Sequence, residues 1–521
     1  MRIRWGLCAV LLLPAAPGGA DELASDQVPV WVEYQAADEA LAWATLAAAE
    51  AAWPRLFVAL GHTTPWTLNP SGTPVQGMRF VLAATGMGAG GAMIEWQAAV
   101  DTTPACDCAA RVVVDRATSP ASPMLAEGVL HELVHAGQYA VECTEAPAVY
   151  EAFALASLFH ELPASPVVAF CLAEFQRFPE YPLDYFTMQM PCNGLRPCFG
   201  YVLGTGLFPL FLIERFAGGD PAALPALFAA FGQAGETQVG PPHPRCLPAN
   251  RPDWLEATDA WLRARGADLE AAFAEFACAR ARVGAHAGGQ GLPRAADIPE
   301  PRVARAHPMF PAAGTLALHE LGSAYVELAA PVPSGLRVTL EADPAATWSA
   351  SVLLWRAGQA VERQALVFSD ARAELELSTT QDATRLLLVV AQFHDGWHAP
   401  DDMDSGQLRE IAYRVESLGE AHGEESGEAD GSMESDGSDG SDGEGTHGSC
   451  GCGQGRVGPT TGLWFALAWG LCSRRARRTL RTAATRQGLR PRRGSPAPRW
   501  KVPACCIGLK VRPFLSAPSA H

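Results

Sequence analysis

The chain has little charge for its length. Asp, Glu, Lys and Arg together make up only 18% of its 521 residues. The formal net charge of −17 is also unevenly placed. Residues 420–449 hold ten acidic side chains and no Lys or Arg, and the arginine-rich segment after Cys472 holds no acidic residue. The imbalance therefore belongs to the tails, and nothing in it points to a nucleic-acid partner. No internal repeat is visible, so no solenoid is expected. Cys106-Asp107-Cys108 has no second cysteine pair at zinc-ribbon spacing, so a bridge is favoured over a metal fragment. The apolar run near the C-terminus falls short of the roughly 20 residues that a membrane-spanning helix needs. No dibasic activation site stands out, and whether the first hundred residues form a pro-segment stays open.

What is present is a chain long enough for more than one domain, with 48% hydrophobic residues to build a core. Its first 20 residues read as a secretory signal. Arg2 and Arg4 open it, residues 6–16 are apolar, and Gly18-Gly19-Ala20 precede Asp21. Pro14 and Pro17 count against a buried helix there. Of 14 cysteines, eight lie between 106 and 278: Cys106, Cys108, Cys143, Cys171, Cys192, Cys198, Cys246 and Cys278. An even set in an exported chain implies disulfides, whose pairing is not legible.

Residues 36–60 have helical periodicity, and RFVLAA (79–84), AMIEWQAAV (92–100) and ARVVVD (110–115) have strand character. Ser122-Pro123 is a helix start, a capping hydroxyl followed by a proline at the first helical position. A second helix is expected from Pro147, with more over 206–217, 221–233 and 254–281. Beyond about 310, segments such as LRVTLEA, RLLLVVAQF and EIAYRVESL have strand length and turn residues between them, which predicts an antiparallel β-sandwich over 310–418. The acidic Gly/Ser segment 419–449 cannot bury enough apolar area to fold.

The motif HELVHAGQYAVECTEAPAVYEAF starts at residue 131. On a helix, positions i and i+4 share a face, so His131 and His135 can turn ring nitrogens to one zinc ion. Glu132, one step round, is placed to act as general base toward water that the metal activates. A third ligand is required, and Glu151 on the next helix is the choice, completing a His₂Glu set. Glu142 and Glu145 are nearer but fall in the turn and are expected to be solvated, while Glu161 lies late on its helix. The apolar flanks Val129, Leu130, Leu133 and Val134 argue against a surface helix with solvated histidines. Tyr181, Tyr185 and Tyr201 are candidate stabilisers of a tetrahedral oxyanion, and ARVVVD a candidate edge strand for an extended peptide.

Two resemblances extend this reading. Glu151-Ala152-Phe153-Ala154 is similar to the Glu-Gly-Phe-Ala around the third ligand of gluzincin aminopeptidases. Across roughly 35–415 the chain resembles a family of secreted zinc metalloproteases of myxobacteria and their relatives. His131, Glu132, His135, Ala136, Gln138 and Glu151-Ala152 match that family's pattern in place. Tyr150 and Phe153 depart from it, and the cysteines are more numerous. The resemblance implies an α+β fold: a zincin-like metalloprotease domain over 21–305, a short sheet with mainly helices, then the β-sandwich. It implies one Zn²⁺ and a protein or peptide substrate.

Cys450-Gly451-Cys452, the apolar TTGLWFALAWGLC and Arg474, Arg475, Arg477 and Arg478 (450–478) resemble myxobacterial C-terminal sorting tags. That implies Cys450 or Cys452 as the processing or anchoring position, and a place at the outer membrane or cell surface. A plain membrane anchor or a mistranslated tail is the alternative. Residues 479–521 form a basic tail left out of the fold reading. The competing functional class is a non-catalytic surface protein that binds through the sandwich, with any zinc structural. On that reading His394 and His398 could mark a second metal site, though a loop between strands explains them as well. Substrate, endo- versus aminopeptidase action and oligomeric state are not legible.

Overall fold

The computed structural model describes residues 20–86, 91–100, 107–143, 145–189, 192–232, 253–287, 291–330, 335–378, 382–393 and 408–418. Residues 1–19 of the expected signal, the acidic linker, the tag with Cys450 and Cys452, and the basic tail lie outside them. So do Cys106, Cys246, His394 and His398.

The chain is α+β. In order come β1 (Asp21–Ala24), β2 (Val30–Tyr34), α1 (Glu39–Trp53), β3 (Trp66–Leu68), β4 (Pro74–Gln76), β5 (Met78–Ala83), β6 (Ala92–Ala99) and β7 (Cys108–Asp115). The helices α2 (Pro123–Tyr139), α3 (Pro147–Glu161), α4 (Pro166–Arg177), α5 (Phe199–Gly204), α6 (Leu207–Phe216), α7 (Ala223–Ala229), α8 (Trp254–Arg263) and α9 (Leu269–Ala281) follow. Then come β8 (Arg305–His307), β9 (Ala312–Leu318), β10 (Ser323–Leu328), β11 (Leu336–Ala342), β12 (Thr347–Arg356), β13 (Glu362–Leu366), β14 (Phe368–Ser369), β15 (Arg372–Leu377), β16 (Ala383–Phe393) and β17 (Arg409–Ser417).

The first sheet runs β1-β2-β5-β7-β3-β4, with β6 also on β7. The β2–β5 and β5–β7 pairs are parallel, and β6 runs antiparallel to β7. The ARVVVD strand is therefore not an edge. Arg111 pairs with Arg79 of β5 on one side and with Glu95 of β6 on the other. Its apolar residues are buried on both faces, as an interior strand requires. Among the described residues β6 pairs with β7 alone. α1 and α2 cover this sheet.

Local signals explain the helix starts. Ser122 Oγ accepts from the Met124 N–H at the head of α2. Ser165 does the same for Val167 and Val168 of α4, and its hydroxyl donates to Glu127 of α2. The expected helix over 254–281 is two helices: Gly266 takes φ +78° between them, and Asp268 caps the second. Phe199–Phe216, covering α5 and α6, is apolar enough to cross a membrane but is largely buried against neighbouring helices, as a core helix would be.

The remaining strands form two five-stranded sheets, β13-β12-β16-β10-β8 and β14-β15-β11-β17-β9, antiparallel except for β8 beside β10. Val326, Val352 and Leu388 of the first share a core with Val338, Leu340 and Val415 of the second. β16 is buried on both faces. Leu386, Leu388 and Val390 enter that core, while Leu387, Val389 and Ala391 enter the core shared with the helices. A packed seam, not a bare linker, therefore joins the helical part to the sheets. Arg280 of α9 lies in it, 1% exposed, donating to Gln176, Ser323 and the Phe175 carbonyl.

Cys108–Cys143 and Cys192–Cys198 are disulfides. Cys171 and Cys278 are not bridged: both are buried thiols on core helix faces, which a count of cysteines cannot reveal.

Candidate metal centre

α2 lies under the first sheet, and fourteen of its residues are buried, which places its polar stripe inside the protein. His131 and His135 face each other one turn apart, their Nε2 atoms 2.9 Å apart and their rings nearly perpendicular. The chain turns after Tyr139 and re-enters as α3 at Pro147, which carries Glu151 back to the pair. Glu151 Oε2 lies 3.2 Å from His131 Nε2 and 3.5 Å from His135 Nε2. These atoms form a group able to hold a metal ion.

Two observations test the fit to zinc. Tetrahedral ligands at 2.0–2.2 Å from zinc stand about 3.4 Å from one another, and the three distances here, 2.9, 3.2 and 3.5 Å, bracket that value. Glu151 Oε2 is buried and lies between the two rings, within reach of both. Donors arranged about a common cation sit in this way. The donor set therefore fits zinc.

Electrostatics separate the four groups. Burial, helped by the Glu151 carboxylate, pushes the Glu132 carboxyl up to about 8, against the pull of His135 and of the Ile94 backbone. Burial would also raise Glu151, but His135 and then His131 hold it down at about 2. Burial lowers His131, whereas at His135 the Glu151 carboxylate outweighs burial and lifts the ring to about 9. All four groups are at most 2% exposed.

Supporting side chains brace the α2–α3 turn. Gln138 reaches from the His135 ring to α3. The Tyr150 ring lies against Tyr139, His135 and Phe228. Glu142 and Glu145, expected to be solvated, are buried (2% and 4% exposed), because the turn folds back on Tyr150. Glu161 is paired with Arg55 instead.

The three candidate tyrosines form a cluster of their own. Tyr201 is fully buried, with its hydroxyl directed at the Tyr181 and Pro182 carbonyls. None of the contacts described for Tyr181, Tyr185 or Tyr201 reaches the His131–His135–Glu151 group. Tyr139, which the motif reading passed over, shares the stripe of the two histidines, and Glu151 and Glu132 add to the effect of burial in raising its pKa. Its position, four residues after His135, was the available signal. Glu174, Cys192 and Cys198 also converge, but the two cysteines are joined to each other and offer no thiolate. Comparison with known protein families and with curated proteins finds no match to this chain.

Proposed function

We propose that this protein is a zinc-dependent peptidase of gluzincin type, exported and held at the cell surface. The observation that carries the reading is the convergence of His131, His135 and Glu151 on one point with Glu132 beside them. Zinc bound there supplies Lewis acidity to a carbonyl and acidifies water. The chain's own part is as follows. His131 and His135 present neutral nitrogens, and Glu151 supplies the compensating negative charge. Glu132 takes a proton from the attacking water and passes it to the leaving amine as the C–N bond breaks. The zincin-like reading of residues 21–305 is supported by α2 lying beneath a mixed sheet with an antiparallel strand, β6, at its margin. The β-sandwich reading of 310–418 is supported by the core that the two later sheets share. Two disulfides accord with an oxidising compartment. The outer-membrane placement rests on the sequence of the tag alone.

One observation favours the second reading, a surface-binding protein with a structural metal: the four site residues are almost completely buried. Zinc analysis and digestion of casein and a peptide library by the full chain and by Glu132→Gln separate the two. On the peptidase reading the wild type cleaves, and the variant keeps its zinc but loses roughly 10²-fold or more in rate. Zinc in both without cleavage by either supports the binding protein.

A further inference from the structure

Gln138 is 2% exposed and bridges the two ligand helices. Its Nε2 donates to the Tyr150 carbonyl at 3.1 Å, and its Oε1 lies 2.7 Å from His135 Nδ1. A backbone carbonyl only accepts, so the amide nitrogen must face Tyr150 and the amide oxygen must face the ring. That oxygen cannot donate, so Nδ1 of His135 carries the proton of the bond. The reversed amide would set oxygen against oxygen in a buried site, which is unfavourable. Tyr150 directly precedes Glu151, so the same amide ties the position of the second histidine to that of the carboxylate.

We propose that Gln138 is a positioning residue of the metal centre: it fixes His135 with Nδ1 protonated and Nε2 turned to the cation, and it sets the spacing between His135 and Glu151. This rests on the zinc reading above. A group hydrogen-bonded behind a metal-binding histidine typically contributes 10- to 100-fold in affinity.

The test is zinc affinity of the full chain, by competition with a chromophoric chelator, together with the visible spectrum of the cobalt-substituted protein. Gln138→Leu keeps the volume but neither hydrogen bond. It should bind zinc about 10- to 100-fold more weakly and shift the cobalt spectrum. Gln138→Glu still accepts from Nδ1–H but cannot donate to the Tyr150 carbonyl, so it should hold zinc yet shift the cobalt spectrum as the spacing between His135 and Glu151 relaxes. A folded Leu variant with wild-type affinity and cobalt spectrum would overturn the proposal. Should the Leu variant not fold, the Glu variant decides, and a folded Glu variant with the wild-type cobalt spectrum would overturn it. A wild-type chain that binds no zinc overturns the metal reading and this proposal together, whereas tight zinc in wild type and Leu variant alike overturns this one alone.

Discussion

The Tyr150 hydroxyl donates to the backbone carbonyl of Glu142 at 2.7 Å and accepts from the Glu145 N–H at 3.2 Å. One phenol thus closes the turn that returns Glu151 to the histidines. Tyr150→Phe removes the clasp and both of its buried hydrogen bonds, at a cost of about 1–3 kcal/mol. Urea denaturation should show a lower midpoint, and zinc should bind more weakly. An unchanged midpoint would mean that the turn holds without the clasp.

Gly206, at the head of α6, lies against the helix that carries Glu151. A Cβ there would come within 2.5 Å of the Ala152 carbonyl and 3.1 Å of the Ala156 N–H. Both are backbone atoms of α3 and cannot swing aside. Gly206→Ala should therefore displace α3, destabilise the fold by about 1–3 kcal/mol, and weaken zinc binding as well. Normal stability and affinity in this variant would show that α6 can retreat without moving α3.

Among the described residues no carboxylate forms an ion pair with Arg280, and Glu180 acts on it only from a distance. Burial lowers its pKa, and three neutral acceptors and the Phe175 ring at 3.9 Å receive it. Arg280→Met preserves much of the bulk but leaves those acceptors buried and unmet. A loss of about 3 kcal/mol or more is expected in denaturant titrations. A neutral or stabilising result would mean that the cost of burying the cation had cancelled its hydrogen bonds.

His62 gives the stability a pH dependence of known sign. Burial holds its pKa down at about 4, against an ordinary 6.5, and its Nε2 has no hydrogen bond. As pH falls below 6.5 the unfolded chain takes up a proton that the folded chain refuses. The stabilising contribution is thus complete above the unfolded value and is lost progressively down to about pH 4. The loss is on the order of 3 kcal/mol. His62→Gln should lack this component, so wild type and variant should converge in stability between pH 7 and pH 4. Parallel pH profiles would contradict it.

The site was more legible in the sequence than the frame around it. The four-residue spacing of His131 and His135 follows from helix geometry alone, and Ser122-Pro123 and Pro147 mark the helices that carry the ligands. α4 opens with the same signal, Ser165-Pro166, and its buried Val168, Cys171, Leu172 and Phe175 recur at helical spacing, so this helix too was legible although the expected helices do not include it. Strand character does not tell which neighbours a strand has, so the interior place of ARVVVD is not legible from its residues. β16 feeds two cores at once, so its continuous apolar run does not reveal a packed seam. The Tyr201 hydroxyl meets backbone carbonyls far off in sequence, and no spacing rule anticipates such partners.

The metal centre is tested most directly by diffraction from crystals of the zinc-loaded full chain on either side of the zinc absorption edge. One anomalous peak is expected about 2.0–2.2 Å from His131 Nε2, His135 Nε2 and a Glu151 carboxylate oxygen. A chain with full zinc occupancy elsewhere, or with no peak between these three side chains, would contradict the assignment.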